Sequence, residues 1–243
     1  MQNYNEQTTD SGDALNAGEK IIYFIQKNRK IIFISLGIIV VLFAGLIAFI
    51  YLSDNANKKD IAEVEELNSR FSEIFPQAAG FYEEQDYSTV ETDILLADLI
   101  TFSEKRALFG GGSRGFAGSR AWSLIAQIYS GRKNWPDAEE AWLKAARIGA
   151  KTYLGPIALF NAAAAAEEQG RLEQAIEYLQ NCLSHSFEFS SAPRAQFSIG
   201  RIYEKLGDNL AAVEAYRNVL INWPNIPVFS NLARTRIIAI EVR

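Results

Sequence analysis

The stretch FGGGSRGFAGSR, residues 109–120, spaces its glycines as Gly110-x-Gly112-x-x-Gly115, a pattern with which backbone amides can cradle a phosphate. A loop of that kind works between a buried strand and the head of a helix, inside a parallel sheet. The preceding segment, VETDILLADLITFSEKRALF, instead has helical period and charged residues, and the Gly-Lys-Ser/Thr ending of a triphosphate loop is missing. The glycines are therefore expected to form an inter-hairpin loop, and no cofactor is expected. The remaining reactive inventory is short, with Cys182 and His185 as the only cysteine and the only histidine. One of each allows no intramolecular disulfide and no Cys/His zinc site. No catalytic and no metal-binding residue is assigned, and the chain reads as a protein that is not an enzyme and has no small-molecule substrate.

A chain of 243 residues with 49% hydrophobic and 22% charged content is long and apolar enough to bury a core. Net charge is −5, and residues 53–243 carry 20 basic against 25 acidic side chains. That balance leaves no clustered positive charge for a phosphate backbone, so nucleic acid is not an expected partner.

Location comes from one segment. IIFISLGIIVVLFAGLIAFIYL, residues 31–52, runs 22 positions without a charge; as a helix it would be about 33 Å long, the thickness of a bilayer's hydrocarbon core. A buried core helix seldom lacks a polar face over such a length. A cleaved signal peptide fits poorly, because the apolar run is too long and no small-x-small site follows it. Lys20, Lys27, Arg29 and Lys30 precede the run, whereas Lys58 and Lys59 follow it among Asp54 and Asp60. The positive-inside tendency then puts residues 1–30 in the cytoplasm and residues 53–243 across the membrane. The stretch before residue 19 is polar and without period, and EKIIYFIQKNRK is expected to lie along the membrane surface as a short helix.

The rest of the chain repeats itself. Units starting at Ser119, Pro156 and Pro193 align with an offset of 37 residues each time. The fourth place holds Trp122, Leu159 and Gln196, the eighth Ala126, Ala163 and Gly200, and the eleventh Tyr129, Ala166 and Tyr203. The twentieth place holds Ala138, Ala175 and Ala212, the twenty-fourth Trp142, Leu179 and Tyr216, and the twenty-seventh Ala145, Cys182 and Val219, with Pro224 at the thirty-second place of the last unit. Two antiparallel helices approach closely only where a small side chain faces a bulky one, as Gly200 beside Tyr216 would do. Asn134 with Pro136, and Gly207 with Asp208 and Asn209, punctuate the turns.

At these positions the sequence resembles the tetratricopeptide repeat family, departing from its pattern at Ala166 and Gln196 and in its repeat length. The expected fold class is all-α, a single N-terminal transmembrane helix followed by an α-solenoid. Its parts are a cytoplasmic segment (1–30), the span (31–52), a degenerate leading hairpin with the glycine loop (53–118), three repeats (119–226) and a capping helix (227–243). In the leading part Ile61, Val64, Leu67, Phe71, Ile74 and Phe75 share a face, and STVE at 88–91 reads as a capping box opening a second helix to about Phe109. At the other end Phe229, Leu232, Ile237 and Ile240 share the inner face of a closing helix.

The resemblance implies that the first helix of each unit lines a concave groove. Carried over to this chain, the groove-facing places include Arg120 and Gln127 in the first unit, Phe160 and Glu167 in the second, and Arg194, Phe197, Arg201 and Glu204 in the third. Aromatics flanked by arginines are residue types that anchor partner proteins. The Lys and Asn set with which some family members grip a chaperone C-terminus is matched here only by Asn161, so that mode is not expected. Cys182 reads as a buried core residue, and the AEEA, EEQ and VEELN carboxylates read as solvated helix faces.

The whole layout is also similar to that of the ancillary subunits of the bacterial Sec translocon. That likeness implies a bacterial inner-membrane protein with a periplasmic solenoid, whose partners are the translocon channel and a membrane-anchored chaperone in protein export. The alternative is a structural subunit bridging another cell-envelope complex, such as a motor, secretion or pilus assembly.

Overall fold

The computed structural model describes residues 17–76, 85–105, 115–185 and 189–242. Among them every regular element is a helix: α1 (Ala17–Ile74), α2 (Val90–Glu104), α3 (Gly115–Gly131), α4 (Trp135–Ile148), α5 (Leu154–Glu168), α6 (Leu172–Leu183), α7 (Ala192–Leu206), α8 (Asn209–Asn222) and α9 (Pro227–Glu241). Residues 109–114 of the expected glycine loop lie outside the described residues, and its last part is not loop, because Gly115 opens α3 and residues 115–120 are helical.

The chain divides into two compact units, residues 1–52 and 53–243. In the first, α1 contains an 18-residue window of mean hydropathy 3.0, none of it buried by protein. A helix of this length and composition can cross a membrane. The separate surface helix expected over residues 19–30 does not form; those residues belong to the first turns of α1, because nothing in GEKIIYFIQKNRKII breaks a helix.

In the second unit the last part of α1 packs with α2 through Val64, Leu67, Leu95, Leu96 and Leu99, which share one core with α3 and α4. Arg70 and Asp98 pair across the two helices at 2.7 Å, and Lys105 pairs with Glu63. Ile61, expected on the inner face, is exposed. The cap of α2 also differs from the expected box: Thr89, not Ser88, is the cap, its side chain accepting from the Thr92 amide at 3.2 Å. Ser88 instead donates its amide to Asp86 at 2.8 Å. The helix stops at Glu104, and Lys105 turns extended, with ψ 123°.

The three repeats follow as α3 with α4, α5 with α6, and α7 with α8. Neighbouring hairpins meet through α4 on α5 and α6 on α7, and α9 closes the stack on α8. The small places of the alignment are buried as the contact argument requires: Ala126, Ala138, Ala163, Ala175, Gly200 and Ala212. A Cβ added to Gly200 would lie 2.6 Å from the Tyr216 ring, so that crossing admits only glycine without movement.

One position shows how regular the repeats are. Lys133, Gly170 and Gly207 stand at the fifteenth place of their units, and all three have left-handed backbone, φ 57°, 75° and 79°. In each, the next residue donates back to the eleventh place at 2.9 Å: Asn134 to Tyr129, Arg171 to Ala166 and Asp208 to Tyr203. This is the closure that ends a helix on a left-handed residue. The first unit achieves it with lysine, at a backbone cost that glycine avoids. Asp208 then caps α8 by accepting from the Ala211 amide at 3.0 Å.

On α9, Phe229, Ile237 and Ile240 pack inward as expected beside buried Ala233, but Leu232 faces out. The helix turns small Ser230 and Ala233 to the close crossing with α8, which rotates Leu232 off the core.

Candidate protein-binding groove

The fold gathers the groove residues inferred from the sequence into two clefts and commits two of them to packing. In the first cleft, about 280 Å³ between the end of α1, the segment at Tyr87 and α3, Arg120 and Gln127 line the wall with Asn68, Phe71 and Leu124. Arg120 donates to the Asn68 side chain at 2.7 Å, and Gln127 donates to its own helix at Ser123 O, 3.2 Å. Both are half-buried. Phe75 and Tyr87 stack at 4.1 Å at one side of this cleft.

The second cleft, about 220 Å³ between α5 and α7, brings together Phe160, Asn161, Glu167, Arg194 and Arg201. Phe160 is half-buried, its ring 5.7 Å from that of Phe189. The Arg194 guanidinium lies over the same ring at 5.4 Å, within cation–π range. Arg201 donates to both Glu167 oxygens, at 2.6 and 2.5 Å, and Lys205 donates at 2.9 Å. The hydrogen bond from Arg201 holds the Glu167 carboxyl at about 2, against the opposing effect of burial. The cleft therefore presents an aromatic face, two exposed guanidinium groups and a carboxylate that stays ionised.

Phe197 and Glu204 lie elsewhere. Phe197 packs on Tyr216 at 5.1 Å and on Phe229 at 6.2 Å. Glu204 accepts from the Tyr216 hydroxyl at 2.6 Å and from Arg236 Nε at 2.9 Å, with Arg236 Nη2 on its second oxygen. Burial, then the bond to Glu204, pushes the Tyr216 hydroxyl well above its usual range. These two residues hold α9 onto the third repeat.

Glu139, read from the sequence as a solvated carboxylate, is 4% exposed. It accepts from the Tyr178 hydroxyl at 2.9 Å and from Gln169 at 2.6 Å, and pairs with Arg171. A signal for it was present in the alignment: the equivalent places are Ile176 and Val213, both buried. Glu139, Glu167 and Glu204 thus bind donors from the next unit at successive junctions, joining first repeat to second, second to third, and third to α9. Cys182 is buried, and desolvation pushes its thiol up to about 12. His185 lies against the start of α5, where a Cβ on Gly155 would meet its Nε2 at 2.8 Å.

Stacked helical hairpins with this small-against-large crossing define a solenoid, and solenoids present surfaces to other proteins. Comparison with known proteins agrees on the type of repeat. Residues 123–184 and 160–227 match the tetratricopeptide repeat family model. A TPR repeat-containing protein of Treponema pallidum (strain Nichols) is 37% identical over 128 residues, 53% of each chain. The chain therefore spans about half the length of the curated relative it matches. The chain carries tetratricopeptide repeats, a module that binds other proteins.

Proposed function

We propose that this protein is a membrane-anchored scaffold that holds other proteins in the α5–α7 cleft, with Phe160 as the apolar anchor and Arg194 and Arg201 as its charged rim. The observation that carries the reading is the juxtaposition of a half-exposed aromatic ring with two exposed guanidinium groups in one cleft. Such a surface suits a partner segment with an apolar side chain next to a carboxylate. Arg120 and Gln127 extend the same surface on the first repeat, and Phe197 and Glu204 support it from behind by fixing α7, α8 and α9.

Residues 31–52 are the span in this reading. Their length, their lack of charge and the excess of basic residues before them support an inner-membrane anchor with the N-terminus in the cytoplasm and the repeats in the periplasm. Within that frame the protein serves as an ancillary subunit at the Sec translocon, passing exported chains to a membrane-anchored chaperone. What supports this finer step is the layout of short basic N-terminus, one span and periplasmic repeats.

The test is copurification of the full chain from membranes after mild crosslinking, wild type against Phe160→Ala with Arg194→Ala. Recovery of the translocon channel and a chaperone by the wild type, lost in the double variant, is expected. Equal recovery by both contradicts the cleft assignment, and recovery of a large envelope complex without the channel contradicts the translocon assignment.

A further inference from the structure

A different cleft lies on the opposite side of α7 from Phe160's neighbours. It lies among α6, α7 and α8, has a volume of about 480 Å³, and is lined by Gln180, Gln196, Ile199, Tyr203, Glu214 and Asn218. The first repeat contains the same cleft two units earlier, among α2, α3 and α4, where Trp122, Ile125, Tyr129, Glu140 and Lys144 take the corresponding places. There the volume is only about 210 Å³.

The difference has a direct cause. In the first repeat the cleft is filled from within: the Lys144 ammonium sits 4.3 Å over the Trp122 ring and pairs with Glu140 at 2.8 Å. In the third repeat Trp122 is replaced by Gln196 and Lys144 by Asn218, while the carboxylate is kept as Glu214. Gln196 donates its amide to Ala215 O at 3.1 Å. The second repeat also keeps the carboxylate, as Glu177, and satisfies it with Gln174 at 2.9 Å; the place of Gln174 is taken in the third repeat by Ala211. Among the described residues Glu214 thus has no hydrogen-bond or ion-pair partner and is the single charged group lining the cleft.

We infer that this cleft is a receptor for a lysine or arginine side chain of a partner protein, which takes the place that Lys144 fills in the first repeat. The aliphatic stem would lie on Ile199 and the Tyr203 ring, the cationic head would reach Glu214, and the side-chain oxygens of Gln180 and Asn218 could accept its remaining N–H groups. An anionic occupant would meet Glu214 with no cation to offset it. The inference is independent of the α5–α7 cleft, because none of its residues is a rim or anchor residue there.

The experiment uses the full chain in detergent micelles, with the side-chain amides of glutamine and asparagine labelled for NMR. The probe is the capped peptide acetyl-Gly-Gly-Arg-Gly-Gly-amide, with norleucine and glutamate in place of arginine as controls. Saturable shifts confined to Gln180, Gln196 and Asn218 are expected for the arginine peptide, weakened about fivefold by the exposed and isosteric change Glu214→Gln. They should weaken further as salt is raised. The double variant Gln196→Trp with Asn218→Lys rebuilds the self-filled cleft of the first repeat and, read at the remaining Gln180 amide, should abolish the shift with helicity unchanged, whereas Phe160→Ala should leave all three shifts intact. No saturable shift in the wild type, equal shifts with the norleucine peptide, or indifference to Glu214→Gln would each overturn the inference.

Discussion

Tyr178 donates its hydroxyl to Glu139 at 2.9 Å, joining the second hairpin to a carboxylate buried in the first. Its neighbour Glu140 is exposed and pairs with Lys144 one turn on. Removing Glu139 leaves the Tyr178 hydroxyl without its acceptor, while the Gln169 amide keeps Ala165 O at 3.0 Å and the half-exposed Arg171 can turn to water. Glu139→Ala is therefore expected to cost about 2–3 kcal/mol, and Glu140→Ala no more than about 0.5 kcal/mol. Urea unfolding of the two variants in detergent measures the contrast; equal losses would mean that burial of Glu139 is not what holds the junction.

Glu167 sets a pH dependence. Its folded carboxyl is held at about 2, below the ordinary value of 4.5. A depressed carboxylate adds stability that is complete above its unfolded pKa and is lost as pH falls towards the folded one. Because Arg201 and Lys205 are half-exposed, the full shift is discounted to about 1–2 kcal/mol. Between pH 4.5 and 2 the wild type should lose that much more stability than Glu167→Gln. Parallel melting curves of the two proteins across this window would contradict the clasp.

The left-handed fifteenth place predicts opposite effects in different repeats. Lys133→Gly relieves a lysine held at φ 57° and should stabilise by about 0.5–1 kcal/mol. Gly170→Ala puts a Cβ where φ is 75° and should destabilise by about 1 kcal/mol. Thermal melting of both variants checks the pair, and a loss in Lys133→Gly would show that the lysine side chain, not its backbone, governs that turn.

Gly200→Ala forces a methyl group against the Tyr216 ring and should cost about 1–3 kcal/mol. Combining it with Tyr216→Leu should give a loss smaller than the sum of the two single changes, because both act at one crossing. Strict additivity would place the strain elsewhere.

Much of this arrangement was legible because a repeat compares the chain with itself. Ala126, Ala163 and Gly200 recur at one place, and only close helix crossings require that recurrence. Gly207 and Asp208 marked a turn whose geometry the structure bears out. What escaped notice depended on the polar partners of each residue. Glu139 looked like any carboxylate in a charged helix, although Ile176 and Val213 at its equivalents marked the place as inward-facing. The cap at Thr89 was misplaced by one residue because Ser88 and Glu91 fit a box equally well by spacing, and only backbone geometry separates them. Leu232 was assigned inward by period alone, which cannot anticipate that Ala233 is needed at the crossing with α8. Within the groove, helical register placed Phe160 and Phe197 alike; the difference arises because Phe197 meets Tyr216 and Phe229 beneath α9, while Phe160 packs on the core of the second and third repeats and meets Phe189 and Arg194 at the cleft.

The scaffold reading is tested most directly by photocrosslinking in living cells, with a benzophenone amino acid placed singly at Phe160, at Arg194 and, as a control, at Leu210, which is fully on the surface. The account predicts that Phe160 and Arg194 capture the same partner protein and that Leu210 does not. Equal capture at all three positions, or capture at Leu210 alone, would contradict it.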